Sequence, residues 1–339
     1  MGKVKIIIAG FLAFSLMAFQ DAGKDDIFKH DLTPPPSPWL EKKFDNGADK
    51  FTFAIFSDLN GGEREGIFNV GAAQLRLLRP ELIVSIGDLI DGGTEDEAQL
   101  TKEWDSFDKR AEAAGAPIFR VGGNHDLTNV KMREVWAKRY GPRYYHFIYK
   151  DVLFLIMDSE DFSEKRMRQV YIARDKYIKM ADGPTPEKAR GMEYMGMIER
   201  SRGEISPDQS AYFERVLADN PNVKWTFLFM HKPTWLREGG KGMSRIEAAL
   251  QGQNYTVFNG HEHTFRYRER LGMDYIMLGT TGGAQNPNSD KAFDHLTLIN
   301  MDNNGPTISH IRMDGLLDKT GNIPANGNGL CYQASKCRK

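Results

Sequence analysis

Cysteine is scarce: the 339 residues contain two, Cys331 and Cys337, both near the C-terminus. No C-x-x-C pair exists, which excludes a zinc ribbon or a thioredoxin-like redox site. The two sulfurs are expected to pin the tail through a disulfide if the chain is exported. An excess of either charge is also lacking, since Lys+Arg is 45 against Asp+Glu 46, a net charge of -1. No global field favours a polyanion, and no nucleic-acid partner is expected. No repeat at a solenoid period is visible. Beyond the first twenty or so residues, no apolar run approaches the roughly 20 residues of a membrane span. What is present is ordinary globular composition, 40% apolar and 11% aromatic, enough for a closed core.

The first segment stands apart. Lys3 and Lys5 precede an apolar stretch over 6–19, broken by Gly10 and Ser15. A basic start followed by an apolar run of that length predicts a secretory signal peptide over 1–22, and hence a periplasmic or secreted protein with no membrane span after cleavage. Residues 23–50, with Thr33-Pro34-Pro35-Pro36-Ser37-Pro38, read as an extended linker. The folded part is expected to begin near Phe51.

From there, short apolar runs alternate with amphipathic stretches. Runs at 51–56, 82–86, 118–121, 152–157, 225–230 and 255–258 are short and largely apolar, as in strands covered on both faces. Leu100, Trp104, Phe107 and Ala111 predict a helix over about 95–114, and Met132, Val135, Trp136 and Tyr140 mark another. Ser206-Pro207-Asp208-Gln209 reads as a capping box opening a helix that ends near Asp219. Strands alternating with helices predict an α/β fold, with a further sheet layer from the strands expected after residue 270. Residues 162–204 interrupt the rhythm with ten Lys/Arg, seven Asp/Glu and five Met. They read as an insertion, either a cover over the site or a solvated excursion. Residues 316–339 read as a tail.

The chemistry lies where the runs end. Asp58, Asp88, Asn124, His231 and His261 each follow directly or almost directly on an apolar run. In open α/β sheets the carboxyl ends of strands are where ligands bind. Gly260-His261-Glu262-His263 adds a second imidazole two residues on. Carboxylates, carboxamides and imidazoles without thiolate suit Mn, Fe or Zn, with Mg as a further option. Asp58, Asn60, Asp88, Asn124, His231, His261 and His263 make seven candidate ligands. That exceeds the need of one ion and favours two ions sharing a carboxylate, a known device for hydrolysing phosphate esters through an activated water.

Taken in order, Asp58-Leu59-Asn60, Gly87-Asp88-Leu89-Ile90-Asp91, Gly123-Asn124-His125-Asp126, His231 and Gly260-His261-Glu262-His263 resemble the five motifs of the calcineurin-like metallophosphoesterase superfamily, over roughly 51–315. The resemblance implies a four-layer α/β/β/α sandwich with a binuclear centre and a small phosphorylated substrate. It implies that Asp58, Asp88 and His263 hold one ion, and that Asp88, Asn124, His231 and His261 hold the other. It further implies that His125 faces the scissile phosphate, with Asp126 orienting it and keeping it cationic. Asp91 would be structural or one layer out. Thr280-Thr281-Gly282-Gly283 would line the pocket or simply turn the chain.

One position departs from the pattern: Asn60 stands where the family usually has His. Asn60 is expected to bind an ion through its oxygen or through water. The alternative is a catalytically silent phospholigand-binding protein or scaffold on the same fold, separable from an enzyme by metal content and turnover. Trp235, Arg237 and Lys241, after His231, are candidates to grip a phosphate or stack a base, or else form a solvated loop.

Overall fold

The computed structural model describes residues 49–337. The expected signal peptide and all but the last two residues of the expected linker lie outside them. The order is β1 (Phe51–Phe56), α1 (Ile67–Leu78), β2 (Leu82–Ser85), α2 (Glu97–Ala111), β3 (Ile118–Arg120), α3 (Asn124–Leu127), α4 (Val130–Tyr140), β4 (Tyr145–Tyr149) and β5 (Val152–Ile156). Next come α5 (Glu164–Ala181), α6 (Glu193–Gly196), α7 (Pro207–Asp219), β6 (Trp225–Phe229), α8 (Lys241–Ala249) and β7 (Tyr255–Asn259). The chain ends with β8 (Arg266–Arg270), β9 (Met273–Met277), β10 (His295–Asp302) and β11 (Gly305–Arg312).

Two mixed sheets form, ordered β11-β10-β1-β2-β3 and β4-β5-β6-β7-β9-β8. Their central strands run parallel, β1 with β2 and β3 in one sheet, and β5 with β6, β7 and β9 in the other. The period of two in a strand divides each apolar run between two cores. In β1, Phe51, Phe53 and Ile55 face the second sheet, while Ala54 and Phe56 pack under helices. In β5, Val152, Phe154 and Ile156 meet that same inter-sheet core, and Leu153 and Leu155 join α7 and α8 on the far side. Phe53 meets Phe227 across the sheets with ring centroids 5.0 Å apart. The layers are therefore helices, sheet, sheet, helices, the expected four-layer α/β/β/α sandwich.

The helix start at Ser206 forms as read, its Oγ accepting the Gln209 amide at 3.2 Å. The reciprocal half of the box does not form. The Gln209 carboxamide instead accepts the Asp158 amide at 3.0 Å and donates to the Asp158 carbonyl at 2.9 Å, fixing the end of β5. Two edge strands escaped the sequence reading. β4 closes as a hairpin on β5, and β8, with the sequence RYRER, is exposed along most of its length. A charged edge strand carries no apolar pattern, and its charges discourage pairing with another chain.

The tail is tied down. Cys331 and Cys337 are disulfide-bonded, with Cα atoms 6.1 Å apart. Tyr332 between them is buried against the helix-side core. Among the described residues no helix is long and apolar enough to cross a membrane.

Candidate metal centre

Parallel strands deliver their carboxyl ends to one edge, and there the predicted ligands meet. Asp58 and Asp88 follow β1 and β2, Asn124 opens α3 after β3, and His231 and His261 follow β6 and β7. Single ligand atoms of Asp88, His231 and His261 lie within 4.8 Å of one another, as do those of Asp58, Asp88 and His263. Asp88 belongs to both sets. His231 Nε2 stands 3.1 Å from Asp88 Oδ2, and His263 Nε2 stands 3.4 Å from Asp58 Oδ1. Asp58, Asp88 and His231 are almost wholly buried.

The backbone is strained where these side chains leave it. Asp58, Asp88, His261 and His263 have φ of 50°, 55°, 77° and 50°. Non-glycine residues seldom occupy the left-handed region, and such conformations persist where surrounding structure imposes them. The surroundings here are identifiable. Asp58 Oδ1 and Oδ2 accept the His261 amide at 3.0 and 3.2 Å, joining the first and last motifs. Asp88 Oδ1 accepts the His125 amide at 2.9 Å.

Each imidazole is aimed by a main-chain carbonyl. His231 Nδ1 donates to Ile86 O at 2.8 Å, His261 Nε2 to Arg200 O at 2.8 Å, and His263 Nδ1 to Ala284 O. A ring that gives its only proton to a carbonyl presents a lone pair from its other nitrogen, the tautomer a metal requires. His231 Nε2 and His261 Nδ1 face each other at 3.3 Å. Asn124 adds an independent sign. Its Oδ1 is buried and has no hydrogen-bond partner among the described residues. A buried carbonyl oxygen left without a donor is costly, and a cation would satisfy it. The donor set of oxygens and imidazoles thus fits a pair of hard or borderline ions sharing Asp88.

Charge in the pocket follows the same contacts. Burial works against the His231 imidazolium, but the Asp88 carboxylate outweighs it and pushes the pKa up to about 9, so an ion taking Nε2 would have to displace a proton from it. Burial also opposes the charge of Asp88, yet His231 and His125 hold its carboxyl well below the usual range.

The remaining predicted residues fall less uniformly. Asn60 is buried beside the first set, but its Oδ1 already accepts the Gly61 amide at 3.1 Å. His125 donates from Nδ1 to Asp91 O at 2.7 Å, which turns Nε2 into the cleft. The expectation that Asp126 orients His125 is corrected, because Asp126 accepts the amides of Asp88, Leu89 and Gly123 at 2.8–2.9 Å and that of Ile90 at 3.3 Å. Asp91 does the orienting, through its carbonyl. Nor is the His125 pKa raised. Burial lowers its pKa against the opposing Asp88 carboxylate, and Arg174 adds to the drop.

Thr281 and Gly283 donate their amides to Ser57 O and Asp58 O at 2.7 and 2.8 Å, so this stretch props the first motif from behind. Trp235 is buried against Tyr275, and Arg237 pairs with Glu204 and Glu199 at 2.8 and 3.4 Å. Lys241 is exposed at the start of α8. None of the three lines the cleft over the metal ligands.

That cleft has a volume of about 620 Å³, and Asn124, His125 and His261 form its floor. Residues 162–204 supply Arg174, Tyr177 and Tyr194 to its wall. Arg174 was not legible in the sequence, since it sits in no motif. The only hint is the Gly92-Gly93 pair, which leaves room for it: a Cβ at Gly93 would lie 2.8 Å from its Nη1.

Comparison with known proteins agrees with this geometry. The family model for calcineurin-like phosphoesterases matches residues 51–265. A dimetal phosphatase from Danio rerio superposes with a TM-score of 0.51 at 14% identity, covering 77% of this chain and 98% of that one. The purple acid phosphatase PPD1 from yellow lupin (Lupinus luteus) gives 0.53 at 13% identity, covering 79% of this chain and 52% of that one. No curated protein matches the sequence. With the family match spanning all five motifs and most of the described fold, this chain belongs to the calcineurin-like phosphoesterase family.

Proposed function

We propose that the protein is an exported, metal-dependent hydrolase of small phosphate esters with a binuclear centre. The observation that carries this reading is the place of Asp88 in two separate three-residue ligand sets. Asp58, Asp88 and His263 would hold one ion, and Asp88, His231, His261 and the unpartnered Asn124 Oδ1 the other. Mn, Fe or Zn suit these donors, and Mg is a further option. Bound there, the ions would supply Lewis-acid contacts to phosphoryl oxygens and a water acidified towards neutrality.

The chain's own contribution is positional. Carbonyls fix the three ligand imidazoles, and the Asp91 carbonyl fixes His125 with Nε2 in the cleft, where the ring in its protonated form would give the Nε2 proton to the leaving oxygen of the ester. Export rests on the basic start and the apolar run over 6–19.

Elemental analysis of the full-length product, paired with a screen of mono- and diesters under added Mn, Zn, Fe and Mg, tests the enzyme reading. About two ions per chain with turnover supports it. One ion or none, with ligand binding and no turnover, supports the silent binder. The N-terminal sequence of protein recovered from the periplasm or medium tests export, and a mature chain still beginning at Met1 would refute the cleaved leader.

A further inference from the structure

Arg174 lies on α5, within the insertion, yet it is 7% exposed. Its guanidinium reaches the cleft floor, with Nη2 3.4 Å from His125 Nε2. Among the described residues no carboxylate approaches it within ion-pair distance, although its neighbours on the insertion are paired: Arg166 with Glu199, Arg168 with Glu164 and Lys179 with Asp175. A buried guanidinium without a counter-charge is unfavourable. This one is bounded on one side by Gly93, where a Cβ would crowd Nη1, and on the other by the cleft. The cleft it faces is also lined by His125, Asn124 and His261, where the phosphoryl group would sit.

We infer that Arg174 binds the unesterified phosphoryl oxygens of the substrate and makes the site selective for phosphomonoesters over diesters; this rests on the phosphoesterase reading above. A monoester brings up to two negative charges and three non-bridging oxygens, a diester one charge and two such oxygens. Two oxygens facing the metal ligands leave the monoester a third oxygen for the guanidinium, where a diester would present its second ester group. The planar fork of arginine matches phosphate oxygens with directed N–H bonds, and a lysine supplies only a point charge.

The test uses the full chain loaded with Mn, as wild type, Arg174→Ala and Arg174→Lys. It measures kcat/KM for p-nitrophenyl phosphate and bis(p-nitrophenyl) phosphate, the affinity for inorganic phosphate by calorimetry, and bound metal. In Arg174→Ala the monoester rate constant should fall roughly 10²-fold and the diester constant by about threefold or less. Phosphate should bind at least roughly tenfold more weakly, with Arg174→Lys intermediate and metal content unchanged. An equal fall for both esters, unchanged phosphate affinity or lost metal in the Lys variant would overturn the inference. If the wild type hydrolyses neither ester, the phosphoesterase reading fails instead, and phosphate binding alone still judges Arg174.

Discussion

The carboxylate of Asp126 accepts the backbone amide of Asp88, 38 residues earlier in the chain, at 2.8 Å. It takes the amides of Leu89, Ile90 and Gly123 as well, so the third motif clamps the second by its main chain. Asp126 therefore shapes the candidate metal site through the main chain. In Asp126→Asn, an amide NH₂ would face buried N–H donors. The expected loss is about 3 kcal/mol, or a melting temperature roughly 5–10 °C lower. Metal content should drop with it, because Asp88 would lose its imposed φ of 55°. Thermal melts and elemental analysis check this; full metal occupancy with only a reduced kcat would restore the role of a His125 partner.

His125 stands differently. Its amide is held by Asp88 Oδ1 and its Nδ1 by Asp91 O, and neither contact depends on Nε2. Removing the ring should leave the two candidate ligand sets intact and, on the proposed reading, remove the group that would face the leaving oxygen. His125→Ala is expected to lower kcat by about 10²-fold or more with metal content unchanged. Steady-state kinetics beside metal analysis decide it, and undiminished turnover would take His125 out of the chemistry.

Five of the candidate ligands were readable because each follows a short, largely apolar run that suits a buried strand, and those five endings, three from one sheet and two from the other, meet at one edge of the sandwich. Phe53 and Phe154 read as core for the same reason, since a largely apolar run leaves no solvent face. What the sequence could not show is main chain. The carbonyls of Ile86, Asp91, Arg200 and Ala284 aim the four imidazoles, and any residue type offers the same oxygen. Asp126 was misplaced on that account, because adjacency to His125 suggested a side-chain pair where four amides were the partners. Arg174 lies deep in a charged helix whose other basic residues are solvent-exposed or ion-paired, and only folding separates it from them.

Asn60 offers a direct test of the first ion. Its Oδ1 already accepts the Gly61 amide at 3.1 Å, leaving a divided acceptor beside Asp58 and His263. An imidazole there would bind transition metals more tightly than a carboxamide oxygen does. Asn60→His should therefore slow loss of one ion to chelator by roughly tenfold or more and shift preference from Mn or Mg towards Zn or Fe. Metal content followed during dialysis against a chelator is the measurement. Identical retention and identical preference in both proteins would remove Asn60 from the ligand set.

Acid sensitivity should arise outside the candidate ligand sets, at His295 and His310. Their rings stand 5.4 Å apart beside Phe265, and His295 Nε2 accepts the Gly279 amide at 2.9 Å. An accepting nitrogen is unprotonated, so His295 is neutral in the fold. Burial, then the neighbouring His310, drives the His295 pKa down to about 3, and burial drives His310 down to about 4. Both folded values lie below the unfolded value of about 6.5, so below that pH the unfolded chain binds more protons than the native one. Stability from these groups is complete above about pH 6.5 and falls as pH drops towards 4, by at most about 1.4 kcal/mol per pH unit for each ring. His310 is partly open to solvent, so the slope from His295 dominates. The melting temperature of metal-free protein, followed from pH 7 to pH 5, should fall less steeply in His295→Gln, which keeps an acceptor for the Gly279 amide but cannot be protonated. Parallel curves for the two proteins would place the acid-sensitive groups elsewhere.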